Sequence, residues 1–540
     1  MRFWQDGREA GRQRRRPPGW VLAACIAAAA AIAAGLSWLA VASPGATAAA
    51  PRSPAEGAGA QVASLPAPPV RVCGNRAILG KGPSSPPAGA VVIRAGDDSN
   101  TVLARNYSIK PDTTYWFAPG VHTLGKGQFA QIIPASGDTF VGAPGAVLDG
   151  RHQNNFAFTQ SAHNVTISYL TIQNFGRPGG NQGEGVVNND MGAGWHISHV
   201  TVQHNAGAGV MLGSNNVLSY SCLSDNGEYG LQGEGNNQDP VNVTVDHDEI
   251  AGNNTDNWEV RQPGCGCSGG AKFWRVNGAT ITGNYVHDNH GPGLWADTDN
   301  RGFDVAGNYI ADNAGEGFIY EISYNLRLAG NTFVRNALVD GPHVGGFPDG
   351  AVYISESGAD HRIPGPYGNM LAITGNTFTD NWSGVVLWEN ADRFCHSPAN
   401  TSSSDCTLVA PKVATLKSCV AAHISRQPYF GDCRWKTQNV LVSKNSFTFN
   451  PAHIGPDCTP ANFCGFNGIF SQFGTYPSWS PYHGTVVENN ITFHQNNHFE
   501  ANTYKGPWQF VVQSQGNAVS WSKWRSAPYG QDAGSTETGG

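Results

Sequence analysis

The sequence predicts an all-β solenoid, a coil of short strands joined by tight turns, and three observations carry that expectation. The first is a repeated phrase: Gly283-Asn284-Tyr285-Val286-His287-Asp288-Asn289 returns as Gly307-Asn308-Tyr309-Ile310-Ala311-Asp312-Asn313, then as Gly330–Asn336 and Gly375–Asn381. Asn284, Asn308 and Asn331 stand 24 and 23 residues apart, and Asn376 follows after 45, close to two such steps. Self-similarity at this period marks stacked units, each burying its apolar face on the next. The second is alternation between the phrases, as in Gly293-Leu294-Trp295-Ala296-Asp297 and Gly317-Phe318-Ile319-Tyr320-Glu321. Period two is a strand signature, and neither a leucine-rich nor a 3.6-residue pattern competes with it. The third is the asparagine at the same turn of every unit. Coils stacked at the strand spacing of about 4.8 Å would line these amides into a ladder in which each bonds the next.

Carried by these phrases, and by Gly137–Gly150 with its Phe140-Val141-Gly142 and Val147-Leu148-Asp149-Gly150, the chain resembles right-handed parallel β-helix proteins of the pectate-lyase-like superfamily from Val91 to Trp524. The resemblance implies a right-handed parallel β-helix. It also implies carboxylates on neighbouring coils that bind calcium, with a Lys or Arg as base. The arginine motif of the pectate lyases has no clear match in this sequence.

Each part of the chain fits that architecture. With 540 residues, 40% of them apolar, the chain can bury a large core, and 68 glycines with only 14% charge suit turn-rich β structure. The net charge is −7, of which the first nineteen residues contribute +4 through six arginines against Asp6 and Glu9, so the remainder carries about −11. That balance argues against nucleic acid or an anionic membrane surface as the main partner. A basic start followed by the uncharged run Trp20–Ala42 reads as an export signal, cleaved or kept as an anchor, within residues 1–50. Any membrane contact is expected only through this segment.

Residues 51–90, rich in Pro, Ala, Gly and Ser, read as a flexible linker in which Cys73 is pinned to the folded domain. Outside the apolar run, ten cysteines remain: Cys73, Cys222, Cys265, Cys267, Cys395, Cys406, Cys419, Cys433, Cys458 and Cys464. An even count in an exported chain predicts several disulfides of unread connectivity. The β-helix is expected over 91–526, with coils from near Tyr115 through Val165–Asn174, Ile197–Asn205, Val217–Asn226, Val243–Asn254 and the four phrases. Val440–Asn450 and Val486–Asn496 continue them. Residues 395–436 break the pattern and hold four cysteines, a disulfide-stapled insertion, and 527–540 is a Gly/Ser/Thr-rich tail expected to be disordered.

The chemistry is expected along one flank. Stepping eight residues from each phrase-closing asparagine takes Asn226 to Glu234, Asn289 to Asp297, Asn313 to Glu321 and Asn381 to Glu389. Asn254 leads to Gln262 with Glu259 nearby, and the Asn336 coil is delayed to Ala351–Glu356. With Leu294, Ala296, Phe318 and Tyr320 pointing inward, Trp295, Asp297, Ile319 and Glu321 face out. Like charges stacked about 4.8 Å apart raise each other's pKa and add nothing to a purely structural array, so the row reads as a site. Ordinary solvated carboxylates on coils of unequal length are the alternative.

Trp295 is expected as a sugar-stacking platform, with Trp258, Trp274 and Trp388 as further exposed aromatics. Glu234, Glu259, Arg301, Glu389 and Trp388 are the remaining expected substrate contacts. Lys272 lies on the coil before Asp297, and His290 and Arg301 lie in adjoining turns. A lyase would hold Ca²⁺ on Asp297, Asp299 and Glu321 and remove a uronate proton with Lys272 or His290. A retaining hydrolase would use Asp297 and Glu321 as nucleophile and acid. A non-catalytic polysaccharide-binding stalk is the third reading. The sequence thus points to an exported, monomeric protein acting on an extracellular polysaccharide, with lyase chemistry placed slightly first.

Overall fold

The computed structural model describes residues 65–96, 110–159, 161–234, 239–343, 349–397, 406–472 and 477–539. The expected signal or anchor in residues 1–50 lies outside them, as does the linker up to residue 64. Among the described residues no helix is long and apolar enough to cross a membrane.

From Thr166 to Gln513 each coil visits three sheets in turn, as with Asn277–Thr282 in sheet A, Tyr285–His287 in sheet B and Leu294–Asp297 in sheet C. Sheets A and B have 13 strands each and sheet C has 11. Among the described strands successive coils pair in parallel, and only the last pairing of sheet C, Gln509–Gln513 with Ala518–Val519, is antiparallel. The expected inward set forms the core: Leu294, Ala296, Phe318 and Tyr320 are at most 1% exposed and belong to one continuous apolar cluster.

The repeated phrase encodes two turns of the same design. Gly283, Gly307, Gly330 and Gly375 take φ near +65°, and Asp288, Asp312, Arg335 and Asp380 take φ near +52°. Each of these left-handed residues comes just before a ladder asparagine, and glycine or a short polar residue occupies that conformation most cheaply. The first ladder runs Asn284, Asn308, Asn331, Asn376, Asn445, Asn502, each Nδ2 donating to the next Oδ1 at 2.9–3.1 Å. The second runs Asn205, Asn226, Asn253, Asn289, Asn313, Asn336, Asn381 at 2.9–3.0 Å. Asn253, not Asn254, is the member from its coil. The ladders satisfy amides that are at most 2% exposed, where an unpaired group would cost about 1–3 kcal/mol.

Three segments depart from expectation. Residues 65–90 are not a free linker but a strap laid against the solenoid. Tyr309 donates to the Pro66 carbonyl at 2.7 Å, Cys73 is bonded to Cys222, and Trp116 donates to the Pro83 carbonyl at 3.0 Å. Val486–Asn496 is not a coil: Val486–Asn489 is α-helical and Asn490–His494 a π-helical turn, with Val487 and Ile491 buried at helical spacing. The coil there is His498–Glu500 with Thr503–Lys505, carrying ladder residue Asn502. Nor is the tail from Ala527 without structure, because Thr536–Thr538 pairs in parallel with Thr503–Lys505 and buried Asp532 accepts from Trp524, Tyr504 and Asn502. The ten cysteines pair as Cys73–Cys222, Cys265–Cys267, Cys395–Cys406, Cys419–Cys433 and Cys458–Cys464.

Candidate active site on sheet C

Sheet C aligns Glu234, Trp274, Asp297, Glu321, Ser355 and Trp388 on six successive strands. A second outward row, two residues earlier, is Gln232, Lys272, Trp295, Ile319, Tyr353 and Val386. Asp297 and Glu321 are therefore direct partners on adjacent strands, their backbones about 4.8 Å apart. Both reach solvent, with side chains 23% and 19% exposed.

Their surroundings differ. Asp297 Oδ2 lies 3.0 Å from Lys272 Nζ, and its Oδ1 accepts from the Thr298 hydroxyl at 2.8 Å. Asn300 Nδ2 donates to the Asp297 carbonyl at 2.6 Å, fixing the end of the strand. Lys272 Nζ also donates to the Gly266 carbonyl at 2.6 Å and sits 3.6 Å from the centre of the Trp295 ring. Desolvation pushes the Glu321 carboxyl above its ordinary range, and the charge of Asp297 adds to that rise. Arg393 and Lys272 oppose it. Arg393 Nη1 is 3.4 Å from Glu321 Oε1, and its Nε is 3.7 Å from Glu356 Oε2. Burial likewise raises Glu234, with Lys272 opposing, and pushes Glu228, below the row, up to about 8.

The sequence therefore places Asp297, Glu321, Lys272, Trp295 and Glu234 on one surface, and the structure brings them together. Trp274, expected only as an exposed aromatic, is half-buried and fills the row position between Glu234 and Asp297. Trp388 is in the row but 5% exposed, packed with Tyr353, Ile319 and Phe470, so it offers no open platform. Trp258 is buried against Met211, Tyr229 and Cys267.

Other expected residues fall away from the row. Glu389 is fully buried, paired with Arg434 and accepting from the Thr437 amide at 3.1 Å and Gln495 at 2.7 Å, so it anchors the insertion and is closed off from solvent. Glu356 is also fully buried, beside Ser355, the Asn390 amide and Arg393. Glu259 accepts from the Gly266 amide at 3.0 Å and so shapes the Cys265–Cys267 loop. His290 is exposed in the turn leading into Leu294–Asp297, at the opposite end of that strand from Asp297. Arg301 opens the next strand of sheet A, beside Asn277 and Tyr324.

Asp299 does not join Asp297 and Glu321. It is 5% exposed at φ +60° and pairs with Arg275 at 3.1 Å. Each of the three carboxylates already faces a cation, Lys272, Arg393 or Arg275, so the set does not form a cradle for Ca²⁺. Among the described residues the one convergence of three ligand-type side chains is Cys395, Cys406 and Cys419, which are held in disulfides.

Arg393 was not anticipated. It follows the Val385–Asn390 strand at the stem of the 395–436 insertion, where its carbonyl accepts from the Trp435 amide at 3.1 Å. The only hint was that insertions in solenoids gather on the binding face.

Residues 184–365 match the family described as "Right handed beta helix region". No curated protein matches the sequence. Solved structures to which the chain is similar at low identity include three carbohydrate-acting proteins. The catalytic unit of a thermostable GH87 α-1,3-glucanase from Streptomyces thermodiastaticus has 13% identity, a TM-score of 0.42 and coverage of 84% of this chain and 70% of that one. The A-module of a mannuronan C-5 epimerase from Azotobacter vinelandii has 14% identity, a TM-score of 0.37 and coverage of 56% and 81%. A periplasmic alginate epimerase has 11% identity, a TM-score of 0.36 and coverage of 70% and 78%. The strand topology and the matched region together show a right-handed parallel β-helix.

Proposed function

We propose that the outer face of sheet C is the active site of an extracytoplasmic glycoside hydrolase that cleaves a polysaccharide with retention of configuration. One observation carries this reading: Asp297 and Glu321 are register partners on adjacent strands in unequal environments. Paired carboxylates about 5 Å apart suit a double displacement, and environments that separate their protonation assign the roles. Glu321, raised by burial, donates its proton to the glycosidic oxygen. Asp297, facing the Lys272 ammonium, attacks the anomeric carbon, and the bond to the leaving sugar breaks. Glu321, now ionised, takes a proton from water, whose oxygen displaces Asp297 and frees the sugar. Trp295 and Trp274, half-buried on the same face, supply rings for sugar stacking.

The polymer is best read as neutral. A uronate on this face would meet Glu234, Asp297 and Glu321, while the nearby cations Lys272 and Arg393 already face carboxylates. The same geometry sets β-elimination second. A base must be an unprotonated amine with a free lone pair, whereas Lys272 directs N–H groups at Asp297 and the Gly266 carbonyl. Export remains part of the proposal, supported by five disulfides and by the basic-then-apolar start of the sequence.

The test incubates the purified chain with neutral and uronate-containing polysaccharides, following reducing ends, unsaturated-uronate absorbance and the anomeric proton signal of the first product. New reducing ends from a neutral polymer with retained configuration support the reading. Unsaturated uronate would replace it with the lyase. Binding without chain shortening would leave a carbohydrate-binding stalk.

A further inference from the structure

The three residues Cys265-Gly266-Cys267 close on themselves through a disulfide, and their middle carbonyl reaches Lys272, the ion-pair partner of Asp297. The loop is held from below: Glu259, on the short helix Trp258–Arg261, accepts from the Gly266 amide at 3.0 Å, and Tyr229 donates to the Gly266 carbonyl at 3.0 Å. The same carbonyl receives Lys272 Nζ at 2.6 Å. Gly266 takes φ +59°, and a Cβ there would stand 2.8 Å from the Trp295 ring and 3.2 Å from Lys272 Nζ. Both the conformation and the space therefore require glycine.

Lys272 thus rests in a seat of three parts, the Gly266 carbonyl, the Trp295 face and Asp297 Oδ2. A lysine has four rotatable side-chain bonds and loses up to about 2 kcal/mol of rotamer freedom when held in one geometry, so the seat must be rigid to hold it. Trp295 and Asp297 come from the adjacent strand of sheet C and Gln232, on the other side of Lys272, carries no charge, so the Gly266 carbonyl is the part of the seat supplied from outside the sheet.

We infer that the Cys265–Cys267 disulfide loop is a positioning element, which holds the Lys272 ammonium against Asp297 and so fixes the nucleophile and the Trp295 sugar platform. The role rests on the hydrolase reading for its consequence, but the placement of Lys272 is measurable without turnover. The loop touches no reacting atom. It acts through Lys272.

The test compares the full chain with its C265S/C267S variant. Both are exposed briefly to limiting acetic anhydride, and acetylation of each lysine is read by peptide mass spectrometry. Lys272, with a side chain 11% exposed and two polar partners, is expected to react slowly in the parent and about tenfold faster in the variant, with other lysines unchanged. The variant's kcat should fall by about tenfold or more, with KM moving less and the melting temperature nearly constant. A second variant, Gly266→Ala, should give the same fast labelling with the disulfide intact. Lys272 labelling as slow in both variants as in the parent would overturn the inference. Fast labelling in a protein whose parent cleaves no polysaccharide would sustain the placement and defeat the hydrolase reading alone.

Discussion

Arg393 lies 3.4 Å from Glu321, joining the stem of a disulfide-stapled insertion to a carboxylate on a strand two coils away. Its guanidinium also faces the fully buried Glu356. Burial pushes Glu356 up to about 7, with Arg393 the strongest opposing influence. A carboxyl raised above its unfolded value of 4.5 contributes stability that is complete below that value and fades as pH rises through 7. Removing Arg393 raises Glu356 further and leaves a buried carboxylate unpaired. Arg393→Met should therefore cost little at pH 4.5 and about 3 kcal/mol at pH 8, read as melting temperature against pH. A pH-independent loss would mean that Arg393 acts by packing alone.

The same arginine lowers Glu321, which must carry a proton to act as acid. The alkaline limb of the Arg393→Met rate profile should move to higher pH. Asp297→Asn should move the limb of any residual activity the other way, since the charge of Asp297 helps to raise Glu321. Glu321→Gln and Asp297→Asn should each lower kcat by about 10³-fold or more while melting barely changes, because both side chains are partly solvated. An equal loss of fold and activity would mark the pair as structural.

How much of this site the sequence shows depends on turn length. Asn289 to Leu294 and Asn313 to Phe318 are both steps of five, so counting from the ladder asparagine lands Asp297 and Glu321 together. Asn381 to Val385 is a step of four. The count then falls one residue late, on Glu389 in place of Trp388, and in a strand a one-residue slip exchanges the two faces. Glu356 misses the row for a related reason, since Ser355 is the partner of Glu321 and Glu356 turns away at φ +46°. Arg393 is invisible for a different reason: no local pattern tells where the stem of an irregular insertion returns to a sheet. The fold was readable because it is written repeatedly, in the paired left-handed residue and asparagine of each turn, whereas each insertion is written once.

The first ladder is not asparagine in every coil. Asp248 stands between Ser221 of the preceding coil and Asn284 of the next; its amide donates to Asn284 Oδ1 at 2.8 Å, and its Oδ1 accepts from the Ser221 amide at 2.7 Å. Its Oδ2 is buried without a partner, where the other ladder residues present an N–H donor. Burial pushes this carboxyl well above its usual range. Its contribution is complete below the unfolded value of 3.8 and is lost progressively as pH climbs. Asp248→Asn should raise the melting temperature at pH 7 by about 2 °C or more and leave it unchanged near pH 3.5, the reverse of what most core substitutions do.

The strap behaves oppositely with pH. Glu249, fully buried, accepts from Arg71 Nε at 2.7 Å and from the Val72 and Cys73 amides at 2.5 and 2.8 Å, and His287 Nε2 lies 3.0 Å away. Burial alone would raise this carboxyl, but His287, the Cys73 amide and Arg71 together outweigh it and hold Glu249 below its ordinary value. A depressed carboxyl contributes stability above its unfolded value of 4.5, and that contribution is lost as pH falls through the lower folded value. The strap should therefore loosen in acid while the coils beneath it, whose ladder asparagines do not titrate, remain closed. Hydrogen exchange corrected for intrinsic rate should show Val72 and Cys73 losing protection below about pH 4, with the ladder amides of Asn284 and Asn308 unchanged. Glu249→Gln should reproduce that loss at pH 7. Because Cys73–Cys222 tethers the segment whatever its protonation, the expected change is in protection and not in detachment, and equal exchange in parent and variant at pH 7 would assign the hold to the disulfide alone.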